Sequence, residues 1–294
     1  MPNVHNGVQD LVNLPAMKPL LFFCLLACIL ASCASAKQEG EIIPPPYPIK
    51  EYTISSPAFQ IYYIRAGAIT KPLIVFIHGS PGTAQDFSKY LGDSTLLAHF
   101  QMISVDRLGF GGSGLLPVPN LTKQANAVGQ VLLKAPSVPV CLVGHSYGGP
   151  VALRLALDFP AQVSAVVLLA PAIDPALEKD EWQRPLLKMW LPRHILPNSL
   201  LNSNEEISML KADLTAMEPK LKNIDQPMMH IHGTKDMFVQ FANLAYTKRL
   251  LTHASYLKTI EIQKANHFIP WTHYDLVKAE LLAFAPQWCT YTTK

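Results

Sequence analysis

A short aliphatic run that ends in a glycine-flanked serine constrains this chain more than any other feature. Residues 138–143 are mostly apolar, the pentapeptide GHSYG follows at residues 144–148, and a helical pattern comes next. A strand, a tight turn and a helix in this order place a serine at the apex of the turn with its hydroxyl exposed. Close approach of strand and helix leaves no room for side chains beside it, which explains Gly144 and Gly148. The pattern predicts a nucleophilic Ser146, and a serine in an ordinary tight turn is the alternative.

The rest of the chain alternates apolar strands with helical patterns. Strands are predicted over residues 51–55, 60–65, 72–78, 100–105, 138–143, 163–169, 227–232 and 255–262. Helices are predicted over residues 121–134, 147–159, 243–251 and 274–284. This alternation predicts an α/β fold with a mostly parallel eight-stranded sheet and helices on both faces.

One interval is far longer than a strand-to-strand crossover requires. Between Leu169 and Pro227 lie 57 residues, whereas a crossover with its helix needs about a dozen or more. Residues 171–224 are therefore predicted to be a helical cap over the sheet, with amphipathic stretches at 181–190 and 205–216. Its apolar side chains could line a substrate pocket, although packing of the cap onto its base is the alternative for most of them. They are Trp182, Met189, Trp190, Met209 and Met217.

Composition excludes several classes of protein. The chain of 294 residues is 49% hydrophobic and 15% charged, which is typical of a globular protein and not of a disordered one. A net charge of +3 without a basic cluster gives no indication of nucleic-acid binding. The pair His230-x-His232 has no clustered Cys, Asp or Glu around it, so no metal site is predicted. Cys141 is expected to be a small core residue within a strand.

The N-terminal segment is typical of an export signal. Residues 20–31 are twelve consecutive apolar residues behind Lys18, too few to span a bilayer as a helix. They end in LASC at residues 30–33, which resembles a bacterial lipobox, and that resemblance implies cleavage before Cys33 and acylation of Cys33. An ordinary secretory signal or an uncleaved anchor remains the alternative.

These features predict a domain organisation and a location. A doubtful extension occupies residues 1–16, the signal peptide 17–32, the lipidated cysteine and a proline-rich linker 33–50, and the folded domain 51–294. The true start could be Met17. The expected location is the bacterial cell envelope, with the domain held at the membrane by its lipid and facing the periplasm.

Two more side chains follow strands of the predicted sheet. Asp236 comes after the strand at 227–232, and His267 comes after the strand at 255–262. The order Ser, Asp, His along the chain resembles that of the α/β-hydrolase superfamily, over about residues 50–285. The resemblance implies that Ser146 attacks substrate, His267 takes its proton and Asp236 orients the imidazole. Asp174 is the rival acid and His273 the rival base.

A fourth motif, HGSPG at residues 78–82, directly follows the strand at 72–78. It resembles the H-G-x-P loop of the same superfamily, which implies an oxyanion hole formed by the backbone N–H groups of Ser80 and Tyr147. The resemblance further implies a serine hydrolase without a cofactor that acts on a small or medium acyl substrate, foremost a carboxylic ester. Asp106-Arg107, after the strand at 100–105, resembles a loop signature of the superfamily and is expected to hold its own loop.

Other activities of the same fold stay open. They are carbon–carbon bond hydrolysis, cofactor-free perhydrolysis and aminopeptidase activity, and a surface-anchored binding module without turnover is the alternative from another class. An aminopeptidase needs acidic cap residues that receive a substrate amine, although exposed helix faces carry such charges routinely. The candidates are Glu178, Asp180, Glu181, Glu205 and Glu206.

Overall fold

The computed structural model describes residues 48–135, 137–178 and 196–289. Eight strands form one sheet in the order β1-β2-β4-β3-β5-β6-β7-β8. The β1–β2 and β2–β4 pairs are antiparallel, and all other pairs are parallel. The strands are β1 Lys50–Ser55, β2 Gln60–Ala66, β3 Leu73–Ile77, β4 Gln101–Val105, β5 Val140–His145, β6 Ala165–Leu169, β7 Met228–Gly233 and β8 Leu257–Ile262.

Helices lie on both faces of this sheet. They are α1 Ser88–Leu91, α2 Ser94–His99, α3 Leu121–Leu133, α4 Gly148–Asp158, α5 Asn198–Met217, α6 Asn243–Leu250, α7 Ile269–Thr272 and α8 Tyr274–Phe284. Short 3₁₀ turns occur at Ala84–Phe87, Gly111–Ser113, Glu218–Asn223 and Ala285–Gln287. The predicted mostly parallel eight-stranded sheet with flanking helices is thereby confirmed, with strand ends that differ from the prediction by one or two residues.

The central strands are buried along their whole length and mostly apolar because both faces are covered. Every residue of β3, β5 and β6 is buried, as expected for parallel strands between two layers of helices. Side chains alternate between two cores: Leu142 packs with α3 and α4, whereas Cys141 and Val143 pack with α1, α2 and α8. Cys141 is fully buried and not part of a disulfide.

The predicted cap is described over part of its length. Its second amphipathic stretch belongs to α5, which begins at Asn198 rather than at residue 205 and buries Leu210, Leu214 and Met217 in the core beside α3 and α4. Met209 is on the outer side and 47% exposed. The first stretch at 181–190, with Trp182, Met189 and Trp190, lies outside the described residues.

The predicted signal peptide and lipidation site at Cys33 also lie outside the described residues, which begin at residue 48. Within the described part of the chain, none of the helices has both the length and the apolar character that crossing a membrane requires.

Candidate active site

All four predicted site segments reach the same edge of the sheet. Ser80 follows β3, Ser146 follows β5, Asp236 follows β7 and His267 follows β8. The parallel strands β3, β5, β6, β7 and β8 all point their carboxyl ends to this edge. Ligands bind at this edge in open α/β sheets, so the topology brings the predicted residues to the position where chemistry is expected.

Ser146 occupies a strained turn between β5 and α4. Its φ is 53°, in the left-handed region that residues other than glycine rarely adopt. A Cβ on Gly148 would lie 2.1 Å from the Ile77 carbonyl oxygen, and one on Gly144 would lie 2.3 Å from the Gly148 oxygen. Strand and helix therefore approach closely enough to require glycine on both sides of the serine, as the sequence predicts.

His267 and Asp236 form a direct hydrogen bond. The Nδ1 atom of His267 lies 2.7 Å from Oδ2 of Asp236, and His267 is 7% exposed. An ionised carboxylate only accepts, so Nδ1 carries the proton and Nε2 of the neutral ring is left as the acceptor. This is the tautomer that a general base for a serine needs.

A second imidazole faces the same carboxylate oxygen. His232 Nε2 lies 3.4 Å from Asp236 Oδ2 and 3.1 Å from the Val239 carbonyl oxygen. Both partners are acceptors, so this nitrogen is protonated, and Nδ1 of a neutral His232 accepts from His230 Nε2 at 3.0 Å. The His230 and His232 side chains thus form a buried hydrogen-bonded chain that ends at Asp236. No group of three or more metal-ligating side chains occurs among the described residues.

The charge of Asp236 is stabilised by these donors. Its second oxygen, Oδ1, accepts from the backbone N–H groups of Phe238 and Val239 at 2.9 and 2.8 Å. Burial by itself raises the pKa of Asp236, but the hydrogen bonds from His232 and His267 outweigh burial and hold this pKa well below 3.8. Asp236 is therefore a carboxylate across the whole neutral range.

His145 holds the backbone of His267 through a hydrogen bond. Its Nε2 donates to the His267 carbonyl oxygen at 3.1 Å, and the two ring centroids are 4.8 Å apart. Burial, followed by the neighbouring His267, lowers the pKa of His145 to about 3. A neutral His145 thus fixes the loop that carries His267.

The HGSPG loop lies directly against the serine turn. A Cβ on Gly79 would lie 3.1 Å from Ser146 Cβ. In the described part of the chain, no backbone acceptor receives the N–H of Ser80 or of Tyr147. The Ser80 hydroxyl donates to Glu206 at 2.7 Å. The two amides predicted to form an oxyanion hole are therefore free to donate, whereas the Ser80 side chain is engaged elsewhere.

The rival residues have other hydrogen-bond partners. Asp174 caps its own loop by accepting from the Ala176 N–H at 2.9 Å, and its backbone N–H donates to Asn243. His273 contacts the Thr272 hydroxyl. Asp236, and not Asp174, is the carboxylate hydrogen-bonded to His267.

Three contacts of this site were missed by sequence reasoning. They are His232 on Asp236, and Arg107 and Glu206 beside the HGSPG loop. His232 has a local signal, because a strand places residues 230 and 232 on one face and the following loop returns Asp236 to that face. Glu206 corrects an expectation: it is fully buried and paired with Arg107, not part of an exposed acidic helix face.

Comparison with known proteins agrees with this architecture. Residues 72–191 match the family model described as alpha/beta hydrolase fold. Over 108 residues the chain is 31% identical to the sn-1-specific diacylglycerol lipase ABHD11 of Mus musculus, which covers 37% of this chain and 35% of that protein. Over 100 residues it is 35% identical to the pimeloyl-[acyl-carrier protein] methyl ester esterase of Proteus mirabilis, covering 34% of this chain and 36% of that protein.

Solved structures resemble the chain over more of its length. Epoxide hydrolase A from Mycobacterium thermoresistibile superimposes with a TM-score of 0.65 at 15% identity, covering 82% of this chain and 99% of that one. At this identity the likeness concerns the fold alone. The chain spans between 33% and 50% of the length of the first curated relatives that it matches. The chain has the α/β-hydrolase fold, and residues 72–191 are the part of it that matches the family model.

Proposed function

We propose that this chain is a serine hydrolase that cleaves a carboxylic ester of a small or medium acyl group through an acyl-enzyme. The observation that carries the proposal is the Asp236–His267 hydrogen bond of 2.7 Å at the sheet edge where the strained turn presents Ser146. Similarity to a lipase and to a methyl ester esterase supports an enzyme of the hydrolase class.

In the proposed mechanism, Ser146 Oγ attacks the ester carbonyl while His267 Nε2 takes its proton. The developing oxyanion accepts from the N–H groups of Ser80 and Tyr147, and protonated His267 gives its proton to the leaving alcohol. Water then attacks the acyl-enzyme with His267 again as the base, which releases the acid and restores Ser146. Asp236 stays ionised throughout and stabilises the imidazolium.

The surroundings of His267 support an uncharged acyl group as substrate. The ring centroid of Phe238 lies 5.5 Å from that of His267, and Phe268 packs against both rings. Phe238 and Met237 are 56% and 92% exposed. An apolar rim of this kind favours hydrocarbon over charged groups.

The alternatives differ in how well the geometry supports them. Glu206 is fully buried against Arg107, so it is not free to receive the amine of an aminopeptidase substrate. The elbow carries Ser146 rather than an aspartate, which separates this site from epoxide hydrolases with an aspartate nucleophile. A binding module without turnover is opposed by the presence of all three triad residue types in hydrogen-bonding or strained arrangements.

Covalent labelling tests the proposal. We expect a fluorophosphonate to modify the protein on Ser146, as read by peptide mapping, and Ser146→Ala to lose both labelling and turnover of p-nitrophenyl esters. Mapping also distinguishes Ser146 from the neighbouring Ser80. An unlabelled wild type without ester turnover would refute the hydrolase, and near-normal activity in Ser146→Ala would refute the nucleophile.

We further propose that Cys33 is lipidated and that the domain is held at a bacterial membrane. Support comes from the sequence: a twelve-residue apolar segment ends in LASC at residues 30–33, and a proline-rich stretch separates it from β1. Two acyl signals suffice for stable anchoring where one does not.

Metabolic labelling tests the anchor. Cells fed labelled palmitate should incorporate it into the wild type and into the matched control Cys28→Ser, but not into Cys33→Ser. Retention of the wild type in the membrane fraction without label would contradict lipidation at Cys33.

A further inference from the structure

The peptide bond between Gly79 and Ser80 is held from its oxygen end. The Gly79 carbonyl oxygen accepts from Arg107 Nη2 at 2.8 Å and contacts His78 Nδ1 at 2.7 Å. In a trans peptide the N–H points opposite to the C=O. Two donors on the Gly79 oxygen therefore fix the direction in which the Ser80 N–H points, and that N–H is one of the two proposed oxyanion donors.

The protonation of His78 follows from its partners. Its Nε2 accepts the backbone N–H of Arg107 at 2.9 Å, so the proton of the neutral ring is on Nδ1 and is donated to Gly79. Burial, together with the charge of Arg107, lowers the pKa of His78 well below 6.5. His78 is thus a fixed neutral donor rather than a proton-transfer group.

Arg107 contacts the peptide of one proposed oxyanion donor and the side chain of the other. Besides Gly79, its Nε donates to the His78 carbonyl oxygen at 3.0 Å. Its Cζ lies 4.6 Å from the centroid of the Tyr147 ring. A positive charge at the oxygen end of a peptide also polarises that peptide and makes its N–H a stronger donor.

Arg107 is itself held by the cap. Glu206 on α5 accepts from Arg107 Nη1 at 2.6 Å and from Nη2 at 3.0 Å. Gln124 on α3 donates to the same carboxylate at 2.9 Å, and the Ser80 hydroxyl donates at 2.7 Å. Both charged side chains are fully buried. Four donors satisfy this carboxylate, which is what a buried charge requires.

We infer that Arg107 and Glu206 are a positioning pair that sets the oxyanion hole and makes its geometry depend on the docking of the cap helix α5. The inference rests on the proposed hydrolase function. Neither side chain touches the reacting atoms. Their effect reaches the transition state through the Gly79–Ser80 peptide and the Tyr147 ring, so it acts on the developing oxyanion and not on the bound ester.

A pair of variants on one helix separates this role from general stability. Glu206→Gln keeps the size of the side chain and removes its charge. Asp213→Asn, two turns further along α5, weakens a different link to the core, because Asp213 accepts the Leu121 N–H at 2.7 Å. Both variants loosen the cap, and only the first acts on the HGSPG loop.

The measurements are kcat and KM for a p-nitrophenyl ester and the inhibition constant of an alkyl boronic acid, whose serine adduct imitates the tetrahedral intermediate. Enzyme concentrations are corrected by fluorophosphonate titration. For Glu206→Gln we expect kcat and boronate affinity to fall together by about 10- to 100-fold with KM changed by less than about threefold. Asp213→Asn should keep both within about threefold of the wild type even if its Tm falls.

The opposite results would overturn the inference. Unchanged kcat and boronate affinity in a folded Glu206→Gln, or equal losses in Asp213→Asn, would reduce the pair to a stabilising contact. If Glu206→Gln does not fold, Arg107→Lys and Ser80→Ala, which keeps the ion pair and removes one donor, are judged by the same two measurements. A wild type without ester turnover or labelling would instead refute the proposed function, and the inference with it.

Discussion

Two buried polar networks belong to the proposed site, and they differ in their charge balance. The oxyanion network consists of His78, Ser80, Arg107 and Glu206, and the acid–base network consists of His145, His232, Asp236 and His267. Arg107 and Glu206 form a closed ion pair with 0% exposure of either side chain. Asp236 instead accepts only from imidazole and backbone N–H groups among the described residues.

The difference matches two separate tasks in the proposed ester hydrolysis. An N–H group that stabilises an oxyanion must keep one direction. A buried ion pair with all of its hydrogen bonds made holds the neighbouring peptide in place. A base must take and return a proton, so one nitrogen of His267 has to remain without a fixed donor or acceptor. Both networks are buried, so burial does not distinguish their proposed roles. They differ in charge: one contains a carboxylate paired with a guanidinium, and the other a carboxylate that, in the described part of the chain, accepts only from imidazole and backbone N–H groups.

The largest expected effect is a loss of kcat when the acid–base network is disrupted. Asp236→Asn places an amide beside His267 Nδ1 and favours the wrong tautomer, so kcat should fall by about 10⁴-fold while the fold is retained. Asp174→Asn is the matched control, since Asp174 caps its own loop. Ester kinetics on both variants provide the measurement, and a larger loss in Asp174→Asn would move the acid to the loop after β6.

The next largest effect is a loss of stability when the oxyanion network is disrupted. Arg107→Met leaves Glu206 as a buried carboxylate without its ion-pair partner, which should lower the free energy of unfolding by about 3–5 kcal/mol. Arg154→Met removes the partly exposed pair with Asp158 on α4 and should cost about 0–1 kcal/mol. Urea denaturation compares the two, and equal losses would mean that the buried pair adds no special constraint.

The contrast between the networks also explains what sequence could predict. The strands were predictable because continuous apolar runs such as β3 and β6 reflect burial on both faces. Asp236 and His267 were predicted as site residues because they lie in the loops after β7 and β8, at the carboxyl ends of strands of the parallel sheet. These signals are local, and they need no knowledge of which segments pack together.

Glu206 shows why the rest could not be predicted. Its partner Arg107 is 99 residues away, and no local pattern announces a long-range ion pair. A weak signal did exist, since Glu206 lies four residues before Leu210 and eight before Leu214, which puts it on the buried face of α5. The start of α5 was predicted too late for a similar reason: the Asn and Ser side chains of its first turns show no amphipathic pattern.

A smaller effect concerns the pH dependence of stability in the acid–base network. The folded pKa of His145 is about 3, below its ordinary 6.5, so the unfolded chain binds a proton first as pH falls. Stability should therefore decrease from about pH 6.5 downward, by about 1.4 kcal/mol per pH unit for this one histidine. His145→Gln keeps a donor for the His267 carbonyl and should make the decrease between about pH 6 and 4 less steep by one proton. An unchanged slope in urea denaturation across this range would contradict a buried neutral His145.

The smallest expected effect concerns the rim of the acid–base network, which unlike the oxyanion network meets solvent. Phe238 is 56% exposed and its ring centroid lies 5.5 Å from that of His267, so it is positioned to contact the part of an acyl chain that extends beyond the reacting carbonyl. Each methylene that a pocket removes from water contributes about 0.8 kcal/mol, so kcat/KM should rise about three- to fourfold per added carbon until the apolar contacts end.

Phe238→Ala should lower kcat/KM for a hexanoate ester by about threefold and leave an acetate ester nearly unaffected, because only the longer chain reaches the removed ring. Ile69→Ala is the matched control: Ile69 is also 56% exposed, but it precedes β3 and so lies at the opposite edge of the sheet. The measurement is kcat/KM across acetate, butyrate and hexanoate esters for the three proteins. Identical chain-length profiles would exclude Phe238 from the acyl site, whereas a proportional loss on all three esters would mean that Phe238 acts on His267 itself.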